Sequence, residues 1–153
     1  MKVSAEFLRE MVEKNRSFVN FAEFGDGVSA SWCDKAEEAI GRRLPPSLRW
    51  WLQGFGGGEV LGEEIYSIYE VDFDAVVGGD LVAQYRSRLA SGEIGRFNLP
   101  ICCSDVDGLF VLDLQRVNLE GESPVVAYSL GFDYAEDFSE FLAKRIELGL
   151  VGE

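Results

Sequence analysis

The feature that most constrains the fold is a short segment between two prolines and three glycines, residues 45–58. Pro45 and Pro46 suit the start of a helix, because the first helical residues have no intrahelical acceptor for their N–H groups. The apolar residues that follow recur at helical spacing and predict one buried face: Leu48, Trp51, Leu52 and Phe55. The segment therefore predicts a short core helix that ends at the glycines.

The three consecutive glycines, Gly56 to Gly58, have two interpretations: a phosphate-binding loop or a tight turn. Phosphate-binding and dinucleotide-binding loops follow a strand, whereas these glycines follow a predicted helix. A P-loop also requires lysine after its last glycine, and Glu59 stands there instead, where its carboxylate would oppose phosphate. We therefore interpret the glycines as a turn that uses positive φ to lead the chain into a strand.

Further helices are indicated by capping residues followed by apolar residues at helical spacing. Ser4, Ser31 and Asp80 are the predicted N-caps, and Gly41 is the predicted end of the second helix. The inward residues are predicted to be Phe7, Leu8, Met11 and Val12 in the first helix, Trp32, Ala36, Ala39 and Ile40 in the second, and Leu81, Tyr85 and Leu89 in the helix after Asp80. A closing helix is predicted over residues 134–148, with Phe138, Phe141, Leu142 and Ile146 on one face.

Strands are predicted between these helices, over residues 64–71, 99–104, 109–114 and 124–129. The connection from Asp105 to Gly108 ends in Asp-Gly, which favours a hairpin between the second and third of them. Helices, a strand, a helix, a strand meander and a final helix together predict an α+β fold with a mainly antiparallel, twisted sheet flanked by helices. The length suits a single domain over residues 1–153.

Histidine is absent from the sequence, which excludes several kinds of chemistry. There is no serine–histidine or cysteine–histidine pair, no histidine general base and no histidine metal ligand. The cysteines, Cys33, Cys102 and Cys103, lack the C-x-x-C spacing of zinc sites and form no disulfide framework. We expect small core residues in a reduced, cytoplasmic protein, with no catalytic residue, metal or cofactor. Charged residues interrupt the N-terminal apolar positions, so we expect no signal peptide.

Negative charge is unevenly distributed along the chain, which carries a net charge of −13 from 27 acids and 14 bases. One base-free window covers residues 50–85 and a second covers residues 117–143. Such a field repels the phosphates of nucleic acids and anionic membranes, and it attracts basic proteins. Solubility alone is the alternative explanation of the charge.

The first base-free window is the predicted partner-binding surface. Its acids flank the strand that follows the glycine turn, where loops can expose them: Glu59, Glu63, Glu64, Glu70, Asp72, Asp74 and Asp80. Trp50 lies off the apolar face of its helix. A neighbouring element that covers its side chain is the favoured interpretation, and an interface anchor is the alternative. The candidate partner-binding residues are therefore these seven acids together with Trp50.

The run AEEAIGRRLPPSLRWWLQGFGGGEV, residues 36–60, resembles the signature of the SMI1/KNR4 family of the SUKH superfamily. The signature positions are occupied by Glu37, Gly41, Leu44, Pro45, Trp51, Gly56 and Gly57. NLPICCSDVDGLFVLDL resembles the central hairpin of the family, and YAEDFSEFLAKRI resembles its closing helix. The resemblance extends over residues 32–146, whereas residues 1–30 carry no recognisable signature.

This resemblance implies a protein-binding role without enzymatic activity. Bacterial members of the family are regarded as immunity proteins that neutralise polymorphic or contact-dependent toxins, many of them nucleases, and fungal members act in cell-wall regulation. We therefore expect an immunity protein whose acidic surface binds a basic toxin domain. A peptide- or small-molecule-binding regulatory module or scaffold of the same fold is the alternative, and a hydrolase ranks third. The resemblance implies that Gly41, Pro45 and Gly57 determine the fold rather than the binding.

Overall fold

The computed structural model describes residues 2–151, so residues 1, 152 and 153 of the predicted domain lie outside the described residues. The helices are α1 (Ala5–Lys14), α2 (Ala30–Ile40), α3 (Pro46–Phe55), α4 (Leu81–Ala90) and α5 (Phe138–Val151). The strands are β1 (Val19–Phe21), β2 (Gly58–Val60), β3 (Glu63–Ile65), β4 (Asn98–Ser104), β5 (Gly108–Asp113), β6 (Val125–Ala127) and β7 (Phe132–Ala135).

The seven described strands form one sheet in which the spatial order is the chain order, β1 to β7. Every neighbouring pair is antiparallel, so the sheet is a meander. Helices α2 and α3 are inserted between β1 and β2, and α4 is inserted between β3 and β4. The predicted α+β fold class with an antiparallel sheet is confirmed, and so is the hairpin at Gly108, which has a φ of 78°.

The core forms where α3 and α5 meet the sheet. The four residues of the predicted α3 face are all 0% exposed, as are the four predicted for the closing helix. The Trp51 ring lies 5.3 Å from Phe21 of β1 and 5.5 Å from Phe138 of α5, measured between ring centroids. In α5, Phe141 lies 5.1 Å from Phe110 of β5. These aromatic contacts fix the last helix across the sheet.

The N-terminal residues, which carried no family signature, belong to the same hydrophobic core. The Ser4 hydroxyl accepts a hydrogen bond from the Phe7 N–H at 3.1 Å, which confirms Ser4 as the N-cap of α1. Leu8 and Val12 are fully buried, and α1 packs against α5. Phe7 is 52% exposed, so its predicted inward position is wrong: it lies at the edge of the narrow face that α1 turns to α5.

Two predicted helix starts are corrected. The N-cap of α2 is Ser29, whose hydroxyl accepts from the Trp32 N–H at 3.3 Å, and not Ser31. The buried residues of α2 are Cys33, Ala36 and Ile40, and Trp32, which was predicted to face inward, is half-buried. The closing helix begins at Phe138, because the residues before it pair with β6 as β7. Two further residues predicted to face inward are less buried than expected: Ala39 is half-buried and Leu89 is exposed.

The strand predicted over residues 64–71 is much shorter than expected. The Tyr66 N–H still donates to the Ile101 carbonyl of β4 at 2.8 Å, and from Ser67 onwards the chain bonds to the segment before α4 instead. The Ser67 N–H donates to the Gly79 carbonyl at 3.1 Å, and the Leu81 N–H donates to the Ser67 carbonyl at 2.6 Å. These bonds satisfy the backbone that a longer β3 would otherwise have used in the sheet.

Candidate functional site

The glycine turn after α3 forms the floor of the candidate site. Gly56 ends the helix with a φ of 82°, and Gly57 and Gly58 have φ values of 149° and 138°. A Cβ on Gly57 would lie 2.6 Å from the Ser67 hydroxyl, and a Cβ on Gly58 would collide with the Asn20 carbonyl. Conformation and space therefore both require glycine, which confirms the interpretation as a turn.

Above this floor lies a cleft of about 420 Å³, which we call the acidic cleft. It is bounded by the glycine turn, by residues 22–28 and by residues 64–70. Three carboxylates line it, those of Asp26, Glu64 and Glu70, and no lysine or arginine is among its lining residues. The cleft therefore presents a negative field to solvent.

The loop that carries Asp26 is fastened to the end of α3. The Gly25 N–H donates to the Gly54 carbonyl at 2.7 Å, and the Val28 N–H donates to the Leu52 carbonyl at 2.8 Å. The last carbonyls of a helix lack intrahelical donors, so these bonds satisfy them. A Cβ on Gly27 would collide with the Gln53 carbonyl, so glycine is needed for this close approach. The loop thus places Asp26 beside the glycine turn.

Glu64 is held by a tyrosine and faces a second acid. The Tyr69 hydroxyl donates to the Glu64 carboxylate at 2.8 Å. Partial burial, together with this hydrogen bond, raises the pKa of Tyr69 to about 12, so the phenol remains a neutral donor. Glu59 of β2 lies directly opposite Glu64 of β3. Like charges opposite each other in a sheet are destabilising, typically by about 0.2–1 kcal/mol.

Glu70 adopts a backbone conformation that is rare for residues with a side chain. Its φ is 57°, in the left-handed region. Such a conformation costs on the order of 1–3 kcal/mol and persists when the surroundings impose it. The Glu70 carboxylate accepts from the Ser29 N–H at 3.4 Å, so it lies near the start of α2 and at the rim of the cleft.

Two acids predicted for the binding surface face the interior instead. Glu63 precedes Glu64 and therefore points to the opposite face of the sheet, where it pairs with Arg145 of α5 at 2.6 Å. Asp80 is 0% exposed, so the expectation of an exposed carboxylate is wrong for this residue. Its two oxygens accept from the Ala83 N–H at 2.9 Å and from the Tyr69 N–H at 3.0 Å. The predicted capping of α4 is correct, and it is the reason that Asp80 is buried.

The remaining predicted residues lie outside the acidic cleft. Glu59 is half-buried on the outer row beside Glu64. Asp72 and Asp74 are exposed in the connection to α4, where Asp74 pairs with Arg86 at 3.2 Å. Trp50 is half-buried, and its ring lies 5.8 Å from that of Phe24. This agrees with the favoured interpretation of a tryptophan covered by a neighbouring element.

Asp26 and Tyr69 complete the cleft but were not among the predicted site residues. Asp26 lies between two glycines, a composition typical of loops and therefore a signal for an exposed acid. Its proximity to Glu64 depends on the tertiary packing of the loop on α3, and no local pattern reports that packing. Among residues 2–151, the acidic and cysteine side chains form no group of three or more that could hold a metal ion.

The chemistry of the acidic cleft favours a cationic group. Carboxylates accept hydrogen bonds from lysine ammonium and arginine guanidinium groups, and these charge-assisted bonds are short and strong.

The described part of the chain includes no helix that is long and apolar enough to cross a membrane.

The antiparallel meander, the helices around it and the glycine turn between α3 and β2 define an α+β domain built on a single sheet. The SUKH family model described as SMI1-KNR4 cell-wall matches residues 30–142. Because this match covers well over half of the chain, the chain belongs to that family, and the predicted resemblance is confirmed. Comparison with curated proteins gives no match. The matched region contains Glu64 and Glu70 but not Asp26.

Proposed function

We propose that this chain is a non-enzymatic immunity protein, which binds a basic toxin domain by taking a lysine or arginine side chain into the acidic cleft. The observation that carries the proposal is the set of three cleft carboxylates, Asp26, Glu64 and Glu70, with no basic residue in the lining. Family membership also supports the proposal. The family model matches residues 30–142, and resemblance to this family implies a protein-binding role.

The arrangement of charge around the cleft adds to this support. Elsewhere in the described residues many carboxylates are neutralised by arginine, as in the pairs of Arg49 with Asp34 and of Arg116 with Asp133. In contrast, the opposed pair of Glu59 and Glu64 weakens the sheet, and Glu70 holds an unfavourable backbone conformation. A local loss of stability of this kind is typical of a binding site.

A cleft of this kind acts in two stages. Its long-range field raises the rate of encounter with a basic surface, and this effect weakens as salt shortens the screening length. After encounter, the carboxylates accept hydrogen bonds from the incoming side chain, with Glu64 already oriented by Tyr69. An acidic protein that occupies the basic cleft of a nuclease would compete with the nucleic acid for the same charges.

The test compares two variants at two salt concentrations, and in each variant three acidic residues are replaced by the uncharged amides of the same size. The cleft variant carries Asp26→Asn, Glu64→Gln and Glu70→Gln. The control variant carries Glu6→Gln, Glu10→Gln and Glu147→Gln, three exposed acids outside the cleft that lose the same total charge. Association with a purified basic toxin domain is followed by stopped-flow fluorescence.

We expect the cleft variant to associate about tenfold more slowly at low salt, with a smaller difference at high salt, and the control to retain most of the parental rate. Equal slowing by both variants would mean that total charge alone matters. A cleft variant that associates as fast as the parent would exclude the acidic cleft as the docking site.

A regulatory module that binds a free basic peptide is the second candidate. The volume of the acidic cleft, about 420 Å³, favours it, because sites for small ligands typically range from roughly 300 to 1,000 Å³. Titration with a short lysine-containing peptide separates the two candidates. Saturable binding of the peptide alone, without binding of any toxin domain, would support the regulatory module.

A further inference from the structure

Four arginines of this acidic protein differ from the others, because they have no carboxylate partner among residues 2–151. They are Arg9, Arg42, Arg43 and Arg96. The arginines that do pair with carboxylates are Arg16, Arg49, Arg86, Arg88, Arg116 and Arg145. Unpaired arginines on a chain with a net charge of −13 are unexpected, since acids are available in excess.

Two of these guanidinium groups share one aromatic ring. The Arg42 Cζ lies 4.0 Å from the centroid of Phe97, and the Arg96 Cζ lies 5.0 Å from the same centroid. Contact with the ring face holds each cation by an interaction of about 0.5–1 kcal/mol at exposed sites. The hydrogen-bond donors of both groups stay available, because a ring contact uses the face of the guanidinium and not its N–H groups.

Arg42 and Arg43 open onto a cleft of about 870 Å³, which we call the arginine groove. Its lining includes two acids, and both are already neutralised. Glu37 accepts from the Arg49 guanidinium at 3.0 Å and from the Leu44 N–H at 2.8 Å, and Glu120 pairs with Lys2 at 2.8 Å. The lining of the groove therefore carries more basic than acidic side chains, whereas the lining of the acidic cleft carries only acidic ones.

The far wall of the arginine groove is apolar. It includes Pro46 of α3 and two exposed residues of the loop after β5: Val117 is 61% exposed and Leu119 is fully exposed. This loop is fastened to the start of α3, because Glu122 accepts from both the Ser47 N–H at 2.9 Å and the Ser47 hydroxyl at 2.7 Å. The groove thus combines unpaired cations with a held apolar wall.

We propose that the arginine groove binds an acidic peptide segment in which carboxylates alternate with large apolar side chains. Carboxylates match the fork of donors on an arginine, and apolar side chains match the wall formed by the loop and by Pro46. A nucleic acid fits less well, because its extended phosphate backbone meets the negative field of the whole molecule beyond the groove. The lining residues of the arginine groove include none of those of the acidic cleft, so this proposal does not depend on the proposed function.

The probe is a dye-labelled peptide with blocked ends and the sequence Gly-Glu-Leu-Glu-Phe-Gly. One matched peptide replaces both glutamates by glutamine, and a second replaces leucine and phenylalanine by alanine. Binding to the full chain is measured by fluorescence anisotropy at low salt. We expect the probe to bind at sub-millimolar concentration and each matched peptide to bind at least about tenfold more weakly, a difference of roughly 1.4 kcal/mol.

The groove variant carries Arg42→Gln and Arg43→Gln, the two unpaired arginines that line the groove, and the control carries Arg9→Gln. Arg9 is a fair control because it also lacks an ion pair among the described residues and stacks on an aromatic ring, that of Phe24 at 3.8 Å. We expect at least tenfold weaker binding in the groove variant and unchanged binding in the control, with both variants shown to be folded by circular dichroism. Chemical shifts of residues 42–46 and 114–121 should move when the peptide is added.

Three outcomes would overturn the proposal: equal binding of the glutamine peptide, parental binding by the groove variant, or chemical-shift changes confined to the acidic cleft. Inorganic tripolyphosphate serves as a competing anion in the same assay. If tripolyphosphate binds in the groove and the peptide does not, the site recognises simple anions and the peptide proposal fails.

Discussion

At the scale of single residues, Trp51 carries the greatest structural weight. It is 0% exposed and contacts aromatic rings from both β1 and α5. Its indole Nε1 has no hydrogen-bond partner among the described residues. The side chain therefore stabilises the fold through packing, and no hydrogen bond of its own adds to that contribution.

We predict that Trp51→Ala lowers the free energy of unfolding by about 3–5 kcal/mol, because the substitution leaves a large cavity in the core. Trp50→Ala is the matched control on the same helix, and we expect less than half of that loss because its side chain is half-buried. Urea denaturation of both variants measures the difference. An unchanged midpoint for Trp51→Ala would contradict the assignment of this residue to the core.

The acids of the first base-free window show how far residue type alone predicts a site. Glu64 and Glu70 line a common cleft, which the charge pattern of the sequence did not predict. Glu63 faces Arg145 because adjacent strand residues point to opposite faces, and charge composition does not report the face. Asp80 was predicted both to cap a helix and to bind a partner, and full use of its oxygens in capping leaves it no exposed surface.

At the scale of elements, the turn between β2 and β3 has a backbone conformation that is unfavourable for one of its residues. The turn has two residues, Leu61 and Gly62, with φ values of 54° and 80°. Positive φ at both positions is characteristic of type I′ hairpin turns, which prefer Asn-Gly. Leucine is unfavourable at the first position, because its Cβ clashes with the backbone in the left-handed region.

We predict that Leu61→Asn stabilises the protein by about 1 kcal/mol, since asparagine adopts this conformation more readily and Leu61 is 45% exposed. Leu61→Val is the control, because a β-branched residue is still less suited to positive φ and should lower stability. Thermal unfolding of the three proteins should give the order asparagine, leucine, valine. A melting temperature of the asparagine variant below that of the parent would show that the leucine side chain contributes more by packing than its backbone costs.

The elements predicted correctly from the sequence are helices of several turns and elements bounded by proline or glycine. The α3 stripe between prolines and glycines, the β4–β5 hairpin and the aromatic face of α5 all have strong local signals. The strands β1, β2 and β7 were missed because they contain only three or four residues, too few for an alternating pattern. Such strands form because a neighbouring strand offers them hydrogen bonds, and that information is not local.

At the scale of the whole molecule, two buried thiols link the stability of the fold to alkaline pH. Burial raises the pKa of Cys33 to about 11 and that of Cys102 to about 12, compared with 9.0 for a free thiol. Both are 0% exposed, in α2 and β4, so unfolding would expose them to ionisation at alkaline pH. The folded state holds the neutral thiol more firmly than the unfolded state does.

We predict that stability is retained below pH 9 and decreases as the pH rises through the range from 9 towards 12. By about pH 10 each thiol should account for a loss on the order of 1 kcal/mol. Chemical denaturation at a series of pH values measures the decrease. In a Cys33→Ala, Cys102→Ala variant, which is less stable at every pH, the slope above pH 9 should be shallower. An identical slope in parent and variant would assign the alkaline loss to other groups.

The agreement between strand order and chain order has a consequence for synthesis on the ribosome. From β2 onwards, each strand that leaves the exit tunnel finds its partner already made, whereas β1 waits for β2, as the pairing of Val19 with Val60 requires. A nascent chain that has not yet released α5 can therefore hold a nearly complete sheet with a bare core face. Phe138 and Phe141 leave the tunnel after all seven described strands, so α5 covers a surface that would otherwise attract chaperones or neighbouring nascent chains.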